Sequence, residues 1–147
     1  MARNERQYTT KQMGDAGEML VAAELTLAGI PALRVPDFWP DYDVIAQRPQ
    51  LTAPERISVK TRTFAKSGNF IGYAEKALFD WLAIVILPGP GCERRRLFIV
   101  PRHIADARSY AALQRAGRGF FVHKLVNPPE QNPQGLADFE NNFCLLQ

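Results

Sequence analysis

The chain is poor in the residues that most often announce a chemistry. Its two cysteines, Cys92 and Cys144, lie far apart and lack metal-ligand spacing, which excludes a disulfide framework or a zinc module. Both read as reduced thiols, the expectation for a cytoplasmic protein. The two histidines, His103 and His123, form no recognisable catalytic dyad. No P-loop, GxSxG elbow or zinc motif occurs, and MGDAG lacks the glycine spacing of a dinucleotide site. The longest aliphatic run, residues 81–87, falls far short of the ~20 residues that span a bilayer. The opening MARNERQYTT has no apolar signal core, and no repeat, heptad or low-complexity tract appears.

What remains is ample for one folded unit. Of 147 residues 46% are hydrophobic, so a single domain over residues 1–147 is expected, with residues 1–8 as a loose N-terminus. A net charge of +3 suits a polyanionic partner without demanding one.

Periodicity gives the elements. Residues 11–29 carry apolar or small side chains at helical spacing after the capping candidates Thr9 and Thr10. On a helical projection Glu24 falls near the middle of the apolar stripe and Glu18 just beyond its rim. Residues 30–35 read as a strand, and 36–40 (PDFWP) as a rigid turn. That turn displays Phe38 and Trp39, which either close the end of the core or stack on a nucleobase.

Residues 41–62 form the centre of the pattern. Two strands with period-two alternation can bring Asp43, Ser58 and Lys60 to one sheet edge. Beyond them the pattern predicts a strand over 69–73, a helix over 74–80 and a buried strand over 81–87. A PGPG turn at 88–91 leads to a strand over 96–100. A helix from Pro101 to about residue 116 follows, stopped by Gly117 and Gly119. A strand over 120–125 and a tail helix over 136–146, docking Phe139, Phe143 and Leu145, complete the reading. The fold class is α/β: a mixed central sheet of about five strands flanked by helices.

An order of features runs through these elements: GDAGE (residues 14–18) on the first helix, Asp43 before an aliphatic run, and Ser58-Val59-Lys60 on the next strand. Asp80 then leads a buried strand, and an aliphatic strand ends at Pro101. In this order the chain resembles the PD-(D/E)XK, or restriction-endonuclease-like, nuclease superfamily, in its Holliday-junction-resolvase-like branch. The departure is Ser58, which occupies the position of the second acidic residue.

The resemblance implies a metal-dependent nuclease acting on DNA rather than RNA, with Mg²⁺ or Mn²⁺ as cofactor. Asp43 would be the main metal ligand, Glu18 a direct or outer carboxylate, and Lys60 the group that orients water and stabilises charge. Glu18, Asp43, Ser58 and Lys60 are therefore the candidate catalytic residues. A serine hydroxyl cannot replace a carboxylate's charge on Mg²⁺. Either Glu24, Asp41 or Glu75 supplies the missing ligand, or catalysis is weakened or lost and a nucleic-acid-binding or protein-interaction module remains. Arg56, Arg62, Lys66, Arg94, Arg95 and Arg96 are the candidate phosphate contacts. A second copy of the chain is an admissible partner.

Overall fold

The computed structural model describes residues 6–111 and 117–143. Residues 112–116 of the expected Pro101 helix, Cys144 and Leu145 lie outside the described residues.

Helix α1 (Thr10–Leu27) begins on a capping box. The Thr9 hydroxyl accepts the Gln12 N–H at 3.1 Å, and the Gln12 amide oxygen accepts the Thr9 N–H at 2.9 Å. Thr9 is thus the cap, and Gly29, at φ 86°, lets the chain turn away after the last turn. The docked stripe is Met13, Gly17, Val21 and Leu25. Glu24 is exposed, which corrects its expected place in that stripe. Leu27, apolar and at helical spacing, draws the projected stripe toward Glu24, but it is 82% exposed and the buried face turns away from both.

Five strands make the main sheet: β1 (Ala32–Arg34), β2 (Val44–Ala46), β3 (Glu55–Thr63), β5 (Trp81–Leu87) and β6 (Arg96–Pro101), in the order β1-β2-β3-β5-β6. Only β3 and β5 run parallel, which makes the sheet mixed. The near-continuous apolar run of β5 has its cause here. It has a strand on each side and a core cluster on each face, and six of its seven residues are buried. One cluster, with Val21, Leu25, Ile57, Val59 and Val85, lies under α1. The other, with Leu82, Ile84, Phe98 and Phe120, lies on the opposite face.

That second face is covered by a smaller sheet of β4 (Phe70–Ala74), β8 (Gly117–Phe121) and β7 (Tyr110–Ala111). The strand expected over 69–73 exists, but in this second layer. The helix expected over 74–80 does not form. Arg102 reaches across, donating to the carbonyls of Ala77 at 2.6 Å and Glu75 at 2.8 Å and stacking on Phe79, and so holds the segment as a turn. The helix expected to reach residue 116 stops early as α2 (Arg102–Arg108). Ser109 turns extended and Tyr110–Ala111 pairs with β8 instead. The strand expected over 120–125 ends at Phe121 and winds into α3 (Val122–Leu125). The described part of the tail holds one 3₁₀ turn (Ala137–Phe139), after which Glu140 bridges to Phe98 of β6.

Candidate functional site

The site is built where β2 stops and β3 continues. The β2–β3 ladder runs from Ala46↔Glu55 to Val44↔Ile57 and ends there. Asp43, one residue earlier, is stitched to both neighbours. Its N–H donates to the Ile57 carbonyl at 2.9 Å, and its carbonyl accepts the Val35 N–H at 3.0 Å. Its carboxylate then accepts the Val59 N–H at 2.8 Å, taking the place of a missing strand partner. A backbone N–H spent on a side chain fixes that side chain; Asp43 is held in place before any ligand arrives.

Alternation along β3 sorts the rest. Ile57, Val59 and Thr61 face α1, and Gly17 packs so close to Thr61 that any side chain there would collide with its Oγ1. Ser58 and Lys60 face the other way, beside Leu82 and Ile84 of β5. Ser58 is 4% exposed, and Lys60 is half-buried. Burial pushes the Lys60 ammonium below its ordinary value; Asp43 works in the opposite direction and Arg62 adds to the depression.

Glu18 comes from the α1 side. Burial pushes its carboxyl up, its hydrogen bond from Arg34 pulls it down, and Asp43 pushes it up again. The Asp43 charge thus bears on both Glu18 and Lys60. No ion pair within 4.0 Å joins Lys60 to either carboxylate among the described residues.

The sequence reading missed Arg34. Its guanidinium grips Glu18 through Nε at 3.0 Å and Nη2 at 2.6 Å, and reaches Asp15 at 3.0 Å. Lys11 pairs with Asp15 at 2.9 Å and Asp37 at 3.0 Å. Asp15, Glu18 and Asp37 bring one carboxylate oxygen each within 4.8 Å of one another, around two cations of the chain's own. The hydrogen bond from Lys11 is the main cause that holds the Asp15 carboxyl below its ordinary value. The helical i,i+3 spacing of Asp15 and Glu18 was a usable signal; the approach of Arg34 from β1 was not.

Of the substitutes considered for a second acid, Glu24 is exposed, and Asp41 is an exposed turn residue at φ 73°. Glu75 follows β4 in the second layer, 3.8 Å from Arg118. The candidate phosphate contacts divide. Arg56 is bonded to Asp80, and Arg96 to Glu140 at 2.7 Å and 2.8 Å while its guanidinium lies over the Phe98 ring. Arg62 donates to the Thr61 carbonyl at 2.8 Å. Lys66, Arg94 and Arg95 are exposed, with no side-chain partner among the described residues. The Lys66 stem lies against Gly91, which brings its loop to the β5–β6 turn that carries Arg94 and Arg95.

Against known structures, the chain superposes on the bacterial homing endonuclease I-Ssp6803I with a TM-score of 0.59 at 14% identity, over 95% of this chain and 93% of that one. The fold is restriction-endonuclease-like. A Holliday junction resolvase from Archaeoglobus fulgidus is also similar, at 15% identity over 69% of this chain and 85% of that one, with a TM-score of 0.45. No family model and no curated protein matches the sequence. At these identities the restriction-endonuclease-like fold is what the likeness establishes. Among the described residues no helix is long and apolar enough to cross a membrane.

Proposed function

We propose that this protein is a divalent-metal-dependent nuclease acting on DNA phosphodiesters, with a weakened metal site. The observation that carries the reading is geometric: the Asp43 carboxylate is fixed at 2.8 Å on the N–H of Val59, the residue between Ser58 and Lys60, where its negative charge pushes up both the Glu18 carboxyl and the Lys60 ammonium. The donor set fits a hard cation, since Asp43 and Glu18 offer only carboxylate oxygens. Mg²⁺ or Mn²⁺, when bound, neutralises phosphate charge and acidifies water. Asp43 and Glu18 would hold that cation. Lys60, its ammonium already destabilised by burial, orients the attacking water and stabilises the charge that grows on the phosphoryl oxygens.

Ser58 takes the position of the second acid in this reading and leaves the site one negative charge short. Lys66, Arg94 and Arg95, on adjoining loops beyond β3 and β5, would track the backbone phosphates. The fold of I-Ssp6803I, a homing endonuclease by its name, supports a DNA substrate by analogy alone.

A second reading, a catalytically silent DNA-binding module, is favoured by one specific contact. Arg34 already occupies the Glu18 carboxylate. Calorimetric titration of Mn²⁺, run beside cleavage of supercoiled plasmid, separates the two. The nuclease reading expects binding and nicking that both vanish in Asp43→Asn. Salt-sensitive DNA binding without metal binding selects the silent module.

A further inference from the structure

The loop between β1 and Asp43 exposes its apolar side chains in a fixed shape. Phe38 is 86% exposed and Trp39 45%. Pro36 and Pro40 bracket them, the Trp39 N–H donates to the Pro36 carbonyl at 2.9 Å, and the Tyr42 N–H to the Pro40 carbonyl at 3.0 Å. The Trp39 ring meets Tyr42 edge-on, with centroids 6.2 Å apart. The loop is also tied to α1, because Lys11 bridges Asp15 and Asp37. Of the two fates open to these aromatics, closing the end of the core is therefore excluded for Phe38.

We infer that Phe38 and Trp39 form a base-stacking wedge, and that the preferred substrate is DNA carrying an unstacked base close to the scissile phosphate. This rests on the nuclease reading above. Three observations select a nucleobase as the occupant. The wedge is continuous with the site: Asp43 follows Phe38 by five residues, and the loop's two stems are joined by the Val35 N–H to the Asp43 carbonyl. An aromatic side chain carries roughly 150–250 Å² in all; Phe38 offers most of its area and Trp39 less than half, a patch suited to stacking on a base. A protein partner would need about 800 Å² per side for a stable interface. Finally, the two prolines and the backbone bonds freeze the loop beforehand, so little ordering cost opposes insertion. Unstacking a base costs least at a mismatch or a single-stranded position, which gives the selectivity.

The test uses the full chain in chelator, so that no DNA is cut, with two labelled DNAs: a perfect duplex and the same duplex with 2-aminopurine in a single mismatch. Wild type is expected to bind the mismatched DNA more tightly and to quench the 2-aminopurine emission. Phe38→Ala/Trp39→Ala should lose about tenfold to a hundredfold affinity for the mismatched DNA, lose the quenching, and bind the perfect duplex as before. Melting curves of the variant confirm folding. Equal losses on both DNAs, or unchanged quenching, overturn the wedge and leave the nuclease reading standing. A change from dimer to monomer on gel filtration, with DNA affinity unaltered, assigns the loop to self-association and also overturns it. Absence of any DNA binding by wild type at low salt overturns both.

Discussion

The Asp43 carboxylate accepts the Val59 N–H at 2.8 Å, so the residue proposed to hold the metal also completes the sheet. Structure and chemistry compete for one side chain, and substitutions can separate them. Asp43→Ala should leave the Val59 N–H unsatisfied and cost about 1–3 kcal/mol in urea denaturation. Asp43→Asn keeps an acceptor and should cost less than half as much, while abolishing Mn²⁺ binding as fully as Asp43→Ala does. Equal stability losses in the two variants would show that charge, not the hydrogen bond, holds this edge.

Arg34 acts as the chain's own counter-ion for Glu18. Removing it in Arg34→Met should lower the melting temperature in chelator, because Asp15, Glu18 and Asp37 then face one another with Lys11 alone. Added Mn²⁺ should raise the melting temperature of the variant by more than that of wild type. The measurement is a pair of thermal shifts. An identical Mn²⁺ increment in both proteins would separate Glu18 from the metal site.

Burial holds the Lys60 ammonium below its ordinary value of 10.5. Between the folded value and 10.5 the unfolded chain binds more protons, so Lys60 makes stability rise with pH across that window. At neutral pH the charged group is therefore a cost. Lys60→Met should raise the melting temperature at pH 7 by roughly 2–6 °C, flatten the alkaline rise, and abolish nicking. A lower melting temperature at pH 7 would mean that attraction to Asp43 outweighs desolvation.

Ser58 is nearly fully buried beside Leu82, so a longer side chain there has to find room. Ser58→Glu should melt lower than Ser58→Gln in chelator, the difference being like charge beside Asp43. Mg²⁺ should close or reverse that gap and increase plasmid nicking. If the two variants respond to Mg²⁺ alike, Ser58 does not face the metal.

The basic surface divides by partner. Lys66→Ala/Arg94→Ala/Arg95→Ala should reduce the slope of log affinity against log salt by as much as about 0.9 per lost phosphate contact, with the fold intact. Arg96→Ala should instead lower the melting temperature, since Glu140 loses its bidentate partner. Salt titration and melting of both proteins check this. Unchanged slopes in the triple variant would move the DNA to another face.

Period-two alternation found β3 and the single-face placement of Ser58 and Lys60, because a strand's pleat is a local property. The apolar run of β5 was equally legible. Four things were not. Glu24 was misplaced because Leu27, counted as core, lies beyond the docked turns. The segment 74–80 has helix-forming residues, but Arg102, 22 positions after the last of them, binds its carbonyls. Arg34 gave no sign of its role, since only the fold brings β1 against α1. Among the phosphate candidates, charge alone could not tell Arg96, spent on Glu140, from Arg94 and Arg95, left in water.

Gly17 sets a clearance that the neighbouring position inherits. With no side chain between helix and strand, α1 lies flush on Thr61, and Glu18 stands one residue along from that contact. Gly17→Ala would force the helix or Thr61 to shift, and would move Glu18 relative to Asp43. The span between the two carboxylates is thus determined by an absent methyl group. If Asp43 and Glu18 hold a cation as proposed, the thickness of this helix seat sets their spacing without any change of ligand.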